Sequence, residues 1–305
     1  MQTVNRDSKS NPLISVIMNC YNSSKYLKEA IDSVLVQTYT NWEIIFWDNQ
    51  STDESASIFK TYKDERMKYF YAPEHTTLGA ARNLAAEKAS GEWIGFLDCD
   101  DIWLPEKLEK QVAIIAEEDD SLGLVYGKVI SFIVPETESN ILSSGAERYN
   151  REVLNEVLPE GNIFNRLIYE NFIFLVSGMV KNEFFWGVGG IDFSYKQAED
   201  YDLFVKISYK YKVRAVQEVI CRYRIHQNNN SHYHGRCGYE ESIKVLEKFN
   251  EPEINQAIKT WYTGLAIYEI KQKKITKGFF ILMRDGSFIV FMKKLLRILL
   301  LASKI

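Results

Sequence analysis

The 305-residue chain lacks the sequence signals of several large protein classes. Its four cysteines form no C-x-x-C pair and no other metal-ligand spacing, so neither a structural zinc site nor a disulfide scaffold is indicated. Residues 1–11 are polar and contain no apolar stretch like that of a secretory signal. No run reaches the roughly 18 uninterrupted apolar residues of a membrane span. These absences predict a cytoplasmic protein with reduced cysteines.

Two common nucleotide-binding motifs are missing as well. No G-x-G-x-x-G follows an apolar run, which argues against a nicotinamide or flavin fold. No G-x-x-x-x-G-K-[ST] occurs either, so the phosphates of a bound nucleotide would be neutralised by a metal and by side chains. The formal net charge of −4 and the isoelectric point near 5.8 argue against nucleic acid as a partner.

The apolar content, 46% of residues, is sufficient for one large domain or two smaller ones. In the first 118 residues, short apolar runs alternate four times with segments of helical periodicity. This alternation predicts an α/β fold with a parallel sheet and right-handed crossovers. We expect residues 12–232 to form one domain and residues 233–305 a helical C-terminal extension. The polar residues 135–160 are expected to be an irregular insertion loop.

The most informative stretch is 93–101, in which an apolar run leads into Asp98, Asp100 and Asp101. In an open α/β sheet, ligands bind beyond the carboxyl ends of the strands, where this cluster would lie. On an extended backbone, Asp98 and Asp100 point to the same side. Mg²⁺ or Mn²⁺, held by one or two carboxylates and by substrate phosphates, is the expected occupant. The alternative is an acidic turn that caps a helix beginning near Pro105, and we expect Asp101 to provide that cap.

Eight segments together resemble the family 2 glycosyltransferases, an inverting family with the GT-A fold. In family order they are residues 14–22, 37–38, 48–53, 78–83, 96–101, 189–192, 199–203 and 223–226. Each segment alone is a weak signal, whereas all eight across about residues 13–231 are a strong one. The resemblance implies a Rossmann-like GT-A fold, with a mostly parallel central sheet flanked by helices, and sugar-nucleotide chemistry.

The resemblance also implies a nucleotide-sugar site. Its expected residues are Cys20, Tyr21, Asn22, Asp48, Asn49, Arg82, Asn83, Asp98, Arg224 and His226. The aromatic face of Tyr21 would stack on the base. Asn49 stands where the family usually has the second acid of an Asp-Asp pair, so UDP-, dTDP- and GDP-sugars all stay open as donors. Three of these residues have structural alternatives: Arg82 as the partner of an acid across the sheet, Tyr21 as a core residue, and His226 as a structural histidine.

For the chemistry, the resemblance implies that Asp200 is the general base, with Glu199 and Gly190 on the acceptor side. Asp100 would be the main metal ligand and Asp98 a second one. The structural alternative for Glu199 and Asp200 is a helix N-terminal cap. The implied function is metal-dependent inverting transfer of a sugar to a hydroxyl of a glycan or lipid-linked acceptor. The pathway would be the synthesis of a cell-envelope polysaccharide such as lipopolysaccharide, O-antigen or capsule.

Two other functions stay open. A sugar-phosphate nucleotidyltransferase has a similar sheet and metal, but it typically carries a Gly-rich basic loop after the first strand, which is absent here. A non-catalytic nucleotide-sugar-binding protein would tolerate the loss of the acids, yet Asp98, Asp100 and Asp200 are all present.

The C-terminal tail differs in charge from the rest of the chain. Residues 271–305 carry nine Lys or Arg and one Asp, a net charge of +8, which leaves −12 for residues 1–270. On a helix formed by the last 18 positions, Lys293, Arg297 and Lys304 would share one stripe, with Lys294 adjacent to it. A basic amphipathic helix with an apolar majority is typical of the membrane interface. We therefore predict a peripheral association with the inner face of the plasma membrane, with a helix packed on the catalytic domain as the alternative.

Overall fold

A computed structural model of the protein describes residues 11–134, 140–227, 229 and 235–293, without the side chains of 140–145 and 148. The fold is organised around an eight-stranded mixed sheet. Its strands are β1 (Ile14–Cys20), β2 (Trp42–Asp48), β3 (Met67–Tyr71), β4 (Trp93–Phe96), β5 (Ile102–Trp103), β6 (Leu122–Ile133), β7 (Met179–Lys181) and β8 (Lys212–Ile225).

The strand order across the sheet is β3-β2-β1-β4-β7-β6-β8-β5. The first four strands are parallel, as their alternation with helices predicts. Strand β7 runs antiparallel to both of its neighbours, β4 and β6, whereas β6 and β8 are parallel. Short β5 closes the far edge antiparallel to β8. The carboxyl ends of β1, β2 and β4 therefore meet at one edge, beside the end of β8.

The helices lie between and after these strands. They are α1 (Ser24–Leu35), α2 (Ser55–Thr61), α3 (Leu78–Ala86), α4 (Lys107–Glu117), α5 (Asn140–Asn155), α6 (Phe164–Leu167), α7 (Asn182–Gly187), α8 (Glu199–Lys210), α9 (Arg236–Leu246), α10 (Ile254–Lys271) and α11 (Ile275–Arg284), with a 3₁₀ turn at Leu175–Ser177. Among the described residues, no helix is both long enough and apolar enough to cross a membrane.

The prediction of an irregular loop at 135–160 is wrong for most of its length, because α5 occupies it. Helix α5 docks on β6 through a polar contact. The Asn150 side chain accepts a hydrogen bond from the Ser131 amide and donates one to its carbonyl, both at 2.8 Å. The sequence does carry a helical spacing here, at Leu142, Ala146, Tyr149 and Val153, but the many polar residues of the segment obscure it.

Two apolar layers cover the faces of the sheet, as expected for strands that are buried on both sides. In β1 and β2, Ile17 and Ile45 belong to one layer, and Val16 and Ile44 belong to the other. Residues of α9 and α10 also belong to the first layer, so these C-terminal helices share a core with the sheet. The predicted domain boundary at residues 232 and 233 lies outside the described residues and stays a prediction.

Candidate active site

A cavity of about 990 Å³ lies at the carboxyl ends of β1, β2 and β4. Its size and position fit a ligand site of an α/β protein. Among the predicted site residues, those that line it are Cys20, Tyr21, Asn49, Arg82, Asp98, Asp100, Glu199 and Asp200. Six predicted residues do not line the cavity but contact residues next to it. They are Asn22, Asp48, Asn83, Gly190, Arg224 and His226.

The three aspartates follow β4 in a turn, so the predicted extended backbone is wrong. Strand β4 ends at Phe96, and the amide of Asp101 donates to the carbonyl of Asp98 at 3.1 Å. The chain turns here because β5 follows at once and pairs antiparallel with β8. Asp98 and Asp100 nevertheless both line the cavity, with side chains 37% and 30% exposed.

Asp101 does not cap a helix, contrary to the prediction. Its carboxylate accepts a hydrogen bond from the backbone amide of Arg224 at 2.9 Å, and the residue is 1% exposed. Burial raises the pKa of Asp101 well above its usual range, and the nearby Asp100 and Asp98 raise it further. The next helix, α4, begins at Lys107 instead of near Pro105. Asp101 thus joins the acidic turn to the end of β8.

The end of β8 holds the acidic turn through two more side chains. The Arg224 Nε donates to the carbonyl of Asp100 at 2.7 Å, and its Nη2 donates to Glu29 at 2.9 Å. The same guanidinium lies 4.3 Å from the ring centroid of Tyr26. The His226 Nε2 lies 2.8 Å from Oδ2 of Asp100. Arg224 and His226 are therefore placed to fix the position of Asp100.

The donor set in this part of the cavity fits Mg²⁺ or Mn²⁺. Asp98 and Asp100 offer carboxylate oxygens, the ligand type that both ions prefer, and His226 contacts Asp100 from outside the lining. The amide nitrogen and oxygen of Asn19, which also lines the cavity, are buried without a hydrogen-bond partner among the described residues. No group of three or more His, Cys, Asp or Glu arranged to hold a metal is found in the described ranges. An ion here would therefore combine one or two carboxylates with substrate phosphates.

Across the cavity, Arg82 joins the acidic turn to the start of α8. It is 4% exposed, and it donates to Asp98 at 2.7 Å and to Glu199 at 3.2 Å. The alternative prediction, an ion pair for Arg82, thus agrees with the geometry, and both partners line the cavity. The Glu199 Oε2 is buried with no partner among the described residues.

The two carboxyls at the start of α8 are shifted toward protonation. Burial raises the pKa of Asp200, and Arg82 lowers it in part. Burial also raises the pKa of Glu199, the charge of Asp200 raises it further, and Arg82 opposes both. The Oδ1 of Asp200 accepts a hydrogen bond from the amide of Tyr201 at 2.6 Å. A carboxylate with a raised pKa in a cavity is suited to take a proton from a hydroxyl.

The end of the cavity beside Asn49 contains an aromatic pair. Tyr21 is 52% exposed, which excludes the core position, and its ring centroid lies 4.4 Å from that of His75. The Nδ1 of His75 lies 2.8 Å from the carbonyl oxygen of Asn49. Our sequence analysis missed His75, although it follows the carboxyl end of β3, where site residues are expected.

The side chain of Asn49 is bound to Thr76. Its Nδ2 donates to the Thr76 carbonyl at 2.9 Å, and its Oδ1 accepts from the Thr76 amide at 3.1 Å. We predicted that this amide accepts a hydrogen bond from the nucleotide base. That bond would compete with the two existing hydrogen bonds to Thr76. Beside it, Cys20 is buried at the end of β1, and a hydrogen bond with the thiol of Cys99 lowers the pKa of Cys20 to about 7.

Four predicted residues outside the lining shape the backbone around it. Asp48 is fully buried and accepts from the Ser51 amide and the Tyr69 hydroxyl. Asn22, at a φ of 50°, accepts from the Thr52 amide at 2.8 Å.

Asn83 bonds both backbone groups of Ile191. Gly190 has a φ of 65°, and a Cβ there would lie 2.9 Å from the Asn83 side-chain oxygen. Both the backbone conformation and the close contact therefore favour glycine.

The family model described as glycosyl transferase family 2 matches residues 15–166. An uncharacterized glycosyltransferase of Rickettsia prowazekii is 31% identical over 247 residues, which is 80% of this chain and 74% of that protein. The chain belongs to glycosyl transferase family 2. The family predicted from the eight segments, and with it the glycosyltransferase class, is confirmed.

Other relatives align over shorter parts of their length. The chain spans 64% of an uncharacterized glycosyltransferase of Rickettsia typhi, at 32% identity over 216 residues, or 70% of this chain. An Escherichia coli relative, WfgD, is named as a UDP-Glc:α-D-GlcNAc-diphosphoundecaprenol β-1,3-glucosyltransferase. It is 37% identical over 115 residues, 38% of this chain and 45% of that protein.

Solved structures confirm the predicted fold. Staphylococcus aureus TarS in complex with UDP-GlcNAc superposes with a TM-score of 0.66 at 19% identity, covering 87% of this chain and 79% of that one. A mannosyltransferase from Pyrobaculum calidifontis in complex with GDP-Man and Mn²⁺ superposes with a TM-score of 0.63 at 18% identity, covering 95% and 80%. The chain therefore has the GT-A type of α/β fold.

Proposed function

We propose that this protein is a metal-dependent inverting glycosyltransferase that moves a sugar from a nucleotide-sugar donor to a hydroxyl of a glycan or lipid-linked acceptor. One observation carries the proposal. Arg82 bonds both Asp98 of the acidic turn and Glu199 at the start of α8, so the proposed metal ligands and the proposed general base line one cavity. Both are needed to displace a diphosphate from an anomeric carbon.

In the proposed reaction, a hydroxyl oxygen of the acceptor attacks the anomeric carbon from the side opposite the diphosphate. The bond between that carbon and the diphosphate oxygen breaks, and the electron pair leaves with the diphosphate. Asp200 takes the hydroxyl proton. Because the attack comes from the side opposite the leaving group, this single displacement inverts the anomeric configuration. A positioned general base contributes on the order of 10²–10⁴-fold to such a step. Glu199 lines the cavity beside Asp200, and its buried Oε2 has no hydrogen-bond partner among the described residues.

We assign Asp100 and Asp98 as the residues that would hold Mg²⁺ or Mn²⁺. A bound divalent ion acts as a Lewis acid and offsets the negative charge that develops on the leaving diphosphate. His226 and Arg224 keep Asp100 in position from the end of β8. Tyr21 and His75 offer ring surfaces for the base at the other end of the donor.

The donor and acceptor classes are proposed from relatives. The name of WfgD includes UDP-Glc and a diphosphoundecaprenol-linked sugar. TarS is in complex with UDP-GlcNAc and the Pyrobaculum mannosyltransferase with GDP-Man. These similarities support a nucleotide-sugar donor and a place in cell-envelope polysaccharide synthesis. We also propose that residues 12–232 form the catalytic domain and that 233–305 extend it with helices.

A donor screen tests the proposal. Purified protein is incubated with UDP-, dTDP- and GDP-sugars, with Mn²⁺ or with chelator, and with lipid-linked acceptors extracted from envelopes. Mass spectrometry should detect the free nucleoside diphosphate and an acceptor heavier by one sugar in the reactions with Mn²⁺ and not in those with chelator. Full activity in chelator would refute the metal assignment. Pyrophosphate release from a nucleoside triphosphate and a sugar phosphate would favour the nucleotidyltransferase, and binding without turnover would favour the non-catalytic protein.

We further propose that the C-terminal region binds the surface of an anionic membrane. On and after α11, several large apolar side chains are exposed, among them Phe280 at 61%, Met283 at 76% and Ile289 at 70%. They belong to residues 271–305, a stretch of net charge +8. Exposed apolar side chains in a basic stretch match an anionic lipid surface in both respects. Of the predicted basic stripe, only Lys293 lies within the described residues.

Liposome co-sedimentation tests this surface. Vesicles that contain phosphatidylglycerol should bind the protein, less so in high salt, because each basic residue near the surface contributes about 1 kcal/mol. The double substitution Phe280→Glu and Met283→Glu should weaken binding. Val157→Glu is the matched control, since Val157 is 79% exposed but far in sequence from the tail. Equal binding of all three proteins would contradict the membrane proposal and favour a helix packed on the domain.

A further inference from the structure

A second cavity, of about 620 Å³, adjoins the active-site cavity. Three residues line both cavities, namely Glu170, Tyr239 and Trp261. Tyr239 lies on α9 and Trp261 on α10, so the wall between the cavities is built partly by the C-terminal helices. A ligand in the active site and one in the second cavity, which we name the distal groove, would therefore contact the same three residues.

Trp261 is held in place by its indole N–H. This group donates to the carbonyl of Ile168 at 2.8 Å, a carbonyl that lies 3.1 Å from the hydroxyl of Tyr201 as well. The ring centroids of Tyr201 and Trp261 are 5.3 Å apart. Tyr201 directly follows Asp200, so the same contacts tie Trp261 to the start of α8. Because its polar group is satisfied, the indole contributes an apolar surface to the groove.

Tyr239 lies in space that Gly264 leaves open. A Cβ at position 264 would be only 2.6 Å from Cε1 of Tyr239, so a larger residue there would displace the ring. The rings of Tyr239 and Trp261 are 6.1 Å apart at 67°, an edge-to-face pair. The distal groove thus contains two aromatic rings at a fixed angle.

Polar groups share the distal groove with the rings. Its lining includes Asn165, Arg166, Glu170 and Thr260, and the Arg166 side chain is 60% exposed. A pyranose has apolar C–H faces that pack on aromatic rings and hydroxyls that bond to carboxylate, amide and guanidinium groups. A lipid chain would bury the same polar groups without hydrogen bonds, which costs free energy. The lining therefore favours a sugar over a hydrocarbon.

We propose that the distal groove binds a sugar residue of the acceptor, next to the residue whose hydroxyl is glycosylated. This inference rests on the proposed glycosyltransferase function and adds the class of ligand and the residues that select it. Tyr239 and Trp261 pack on the sugar ring, and Glu170 bonds its hydroxyls. The C-terminal extension then takes part in acceptor recognition.

The test measures binding at Trp261 directly. The protein has six tryptophans, so incorporation of 5-fluorotryptophan gives six ¹⁹F signals, and Trp261→Phe assigns one of them. The full chain is titrated with methyl glycosides of glucose, galactose, mannose and N-acetylglucosamine, and separately with farnesyl phosphate. At least one glycoside should shift the Trp261 signal saturably, with a Kd of about 1 mM, as expected for a single sugar ring. The signal of Trp186, which lines neither cavity, should not move.

Variants make the assignment specific. Tyr239→Leu and Glu170→Gln should each raise the Kd of the glycoside by about fivefold or more. The first removes an aromatic ring, and the second removes a charged hydrogen-bond acceptor. Tyr209→Leu, at an aromatic residue outside both linings, should leave the Kd unchanged. A Trp261 signal that responds to farnesyl phosphate alone, or to no probe, would overturn the proposal.

Donor turnover measured on the same preparation separates the two hypotheses. Turnover of a nucleotide sugar without glycoside binding refutes the distal groove alone. Glycoside binding without any turnover leaves the groove a sugar site and refutes the transferase.

Discussion

Replacing Glu199 by Gln is the sharpest test of Asp200 as the base. The two carboxyls are consecutive residues on the first turn of α8 and both line the cavity. A glutamine keeps the size of the side chain and an oxygen for the bond from Arg82 at 3.2 Å. It removes one negative charge beside Asp200. The change is therefore electrostatic, with little loss of packing.

The sign follows from the charges that face Asp200. Arg82 lowers the pKa of Asp200, and Glu199 is the acid that competes for Arg82. Two unit charges ~6 Å apart at an effective dielectric constant of ~20 repel by roughly 2.8 kcal/mol, or about 2 pKa units. Because the pKa of Glu199 is raised as well, Glu199 is ionised only in part where Asp200 titrates, and Arg82 offsets part of the remaining repulsion. We therefore expect the pKa of Asp200 to fall by about 1 unit. The base then becomes ionised at lower pH.

The measurement is kcat/KM of the best donor between about pH 4 and pH 9, which brackets ordinary and raised carboxyl pKa values. In the wild type, activity should be lost as pH falls through a pKa above the usual ~4 of a carboxyl. In Glu199→Gln this acidic limb should move down by about 1 unit, with the plateau within a few-fold. Glu106→Gln, whose side chain is 60% exposed, should leave the limb unchanged.

Two results would refute the reasoning. If Glu199→Gln is inactive at every pH while its circular dichroism and thermal melt stay normal, Glu199 is the base. If the acidic limb moves upward, the charge of Glu199 does not act on Asp200 as argued.

The remaining predictions concern single side chains. Asp200→Asn should lower kcat by about 10²-fold or more while the calorimetric Kd for the nucleotide changes little; a parallel collapse of affinity would make Asp200 a binding residue. Asp100→Asn should abolish transfer with the fold intact, measured by activity across a Mn²⁺ titration and by thermal melting, and full activity would contradict it. Asn49→Asp should tighten UDP in calorimetry, because a carboxylate accepts the imide N–H more strongly than an amide does. It should also lower the melting temperature through the lost bond to Thr76; unchanged UDP affinity or a preference for GDP would argue against uracil recognition.

The parts of the fold that could be predicted are those with a local signal. Strands β1 to β4 appear in the sequence as short apolar runs, and their alternation with helical segments fixes a parallel arrangement. The start of α2 shows the limit of a local signal. Ser51-Thr52-Asp53-Glu54 has the four-residue pattern of a capping box, which predicts a helix beginning there. The helix begins instead at Ser55, and Asp53 accepts hydrogen bonds from the amides of Ser55 and Ser24, the first residues of α2 and α1.

Contacts between distant segments are the part that the sequence could not give. The bond between Arg82 and Glu199 spans 117 positions, and that between Asp100 and His226 spans 126. Each of these residues lies in a sequence motif, but no motif predicts which oxygen accepts a hydrogen bond from which nitrogen. Tyr239 and Trp261 carried no signal at all, since an aromatic residue on a helix is as often part of a core. They reach the cavity because α9 and α10 share a core with the sheet.

The two ends of the cavity are not electrostatically independent, because Arg82 bonds Asp98 and Glu199 at once. With Glu199 neutralised, the guanidinium has one fewer anion to satisfy and holds Asp98 more strongly. Asp98 is then a weaker partner for a cation. Glu199→Gln, chosen to change the base, should therefore also raise the Mn²⁺ concentration needed for half-maximal activity, whereas a base acting alone would leave that concentration unchanged. Measuring the Mn²⁺ dependence at the pH plateau of each protein separates this coupling from the shift in pKa, and equal Mn²⁺ requirements would show that Arg82 does not transmit charge between the two ends.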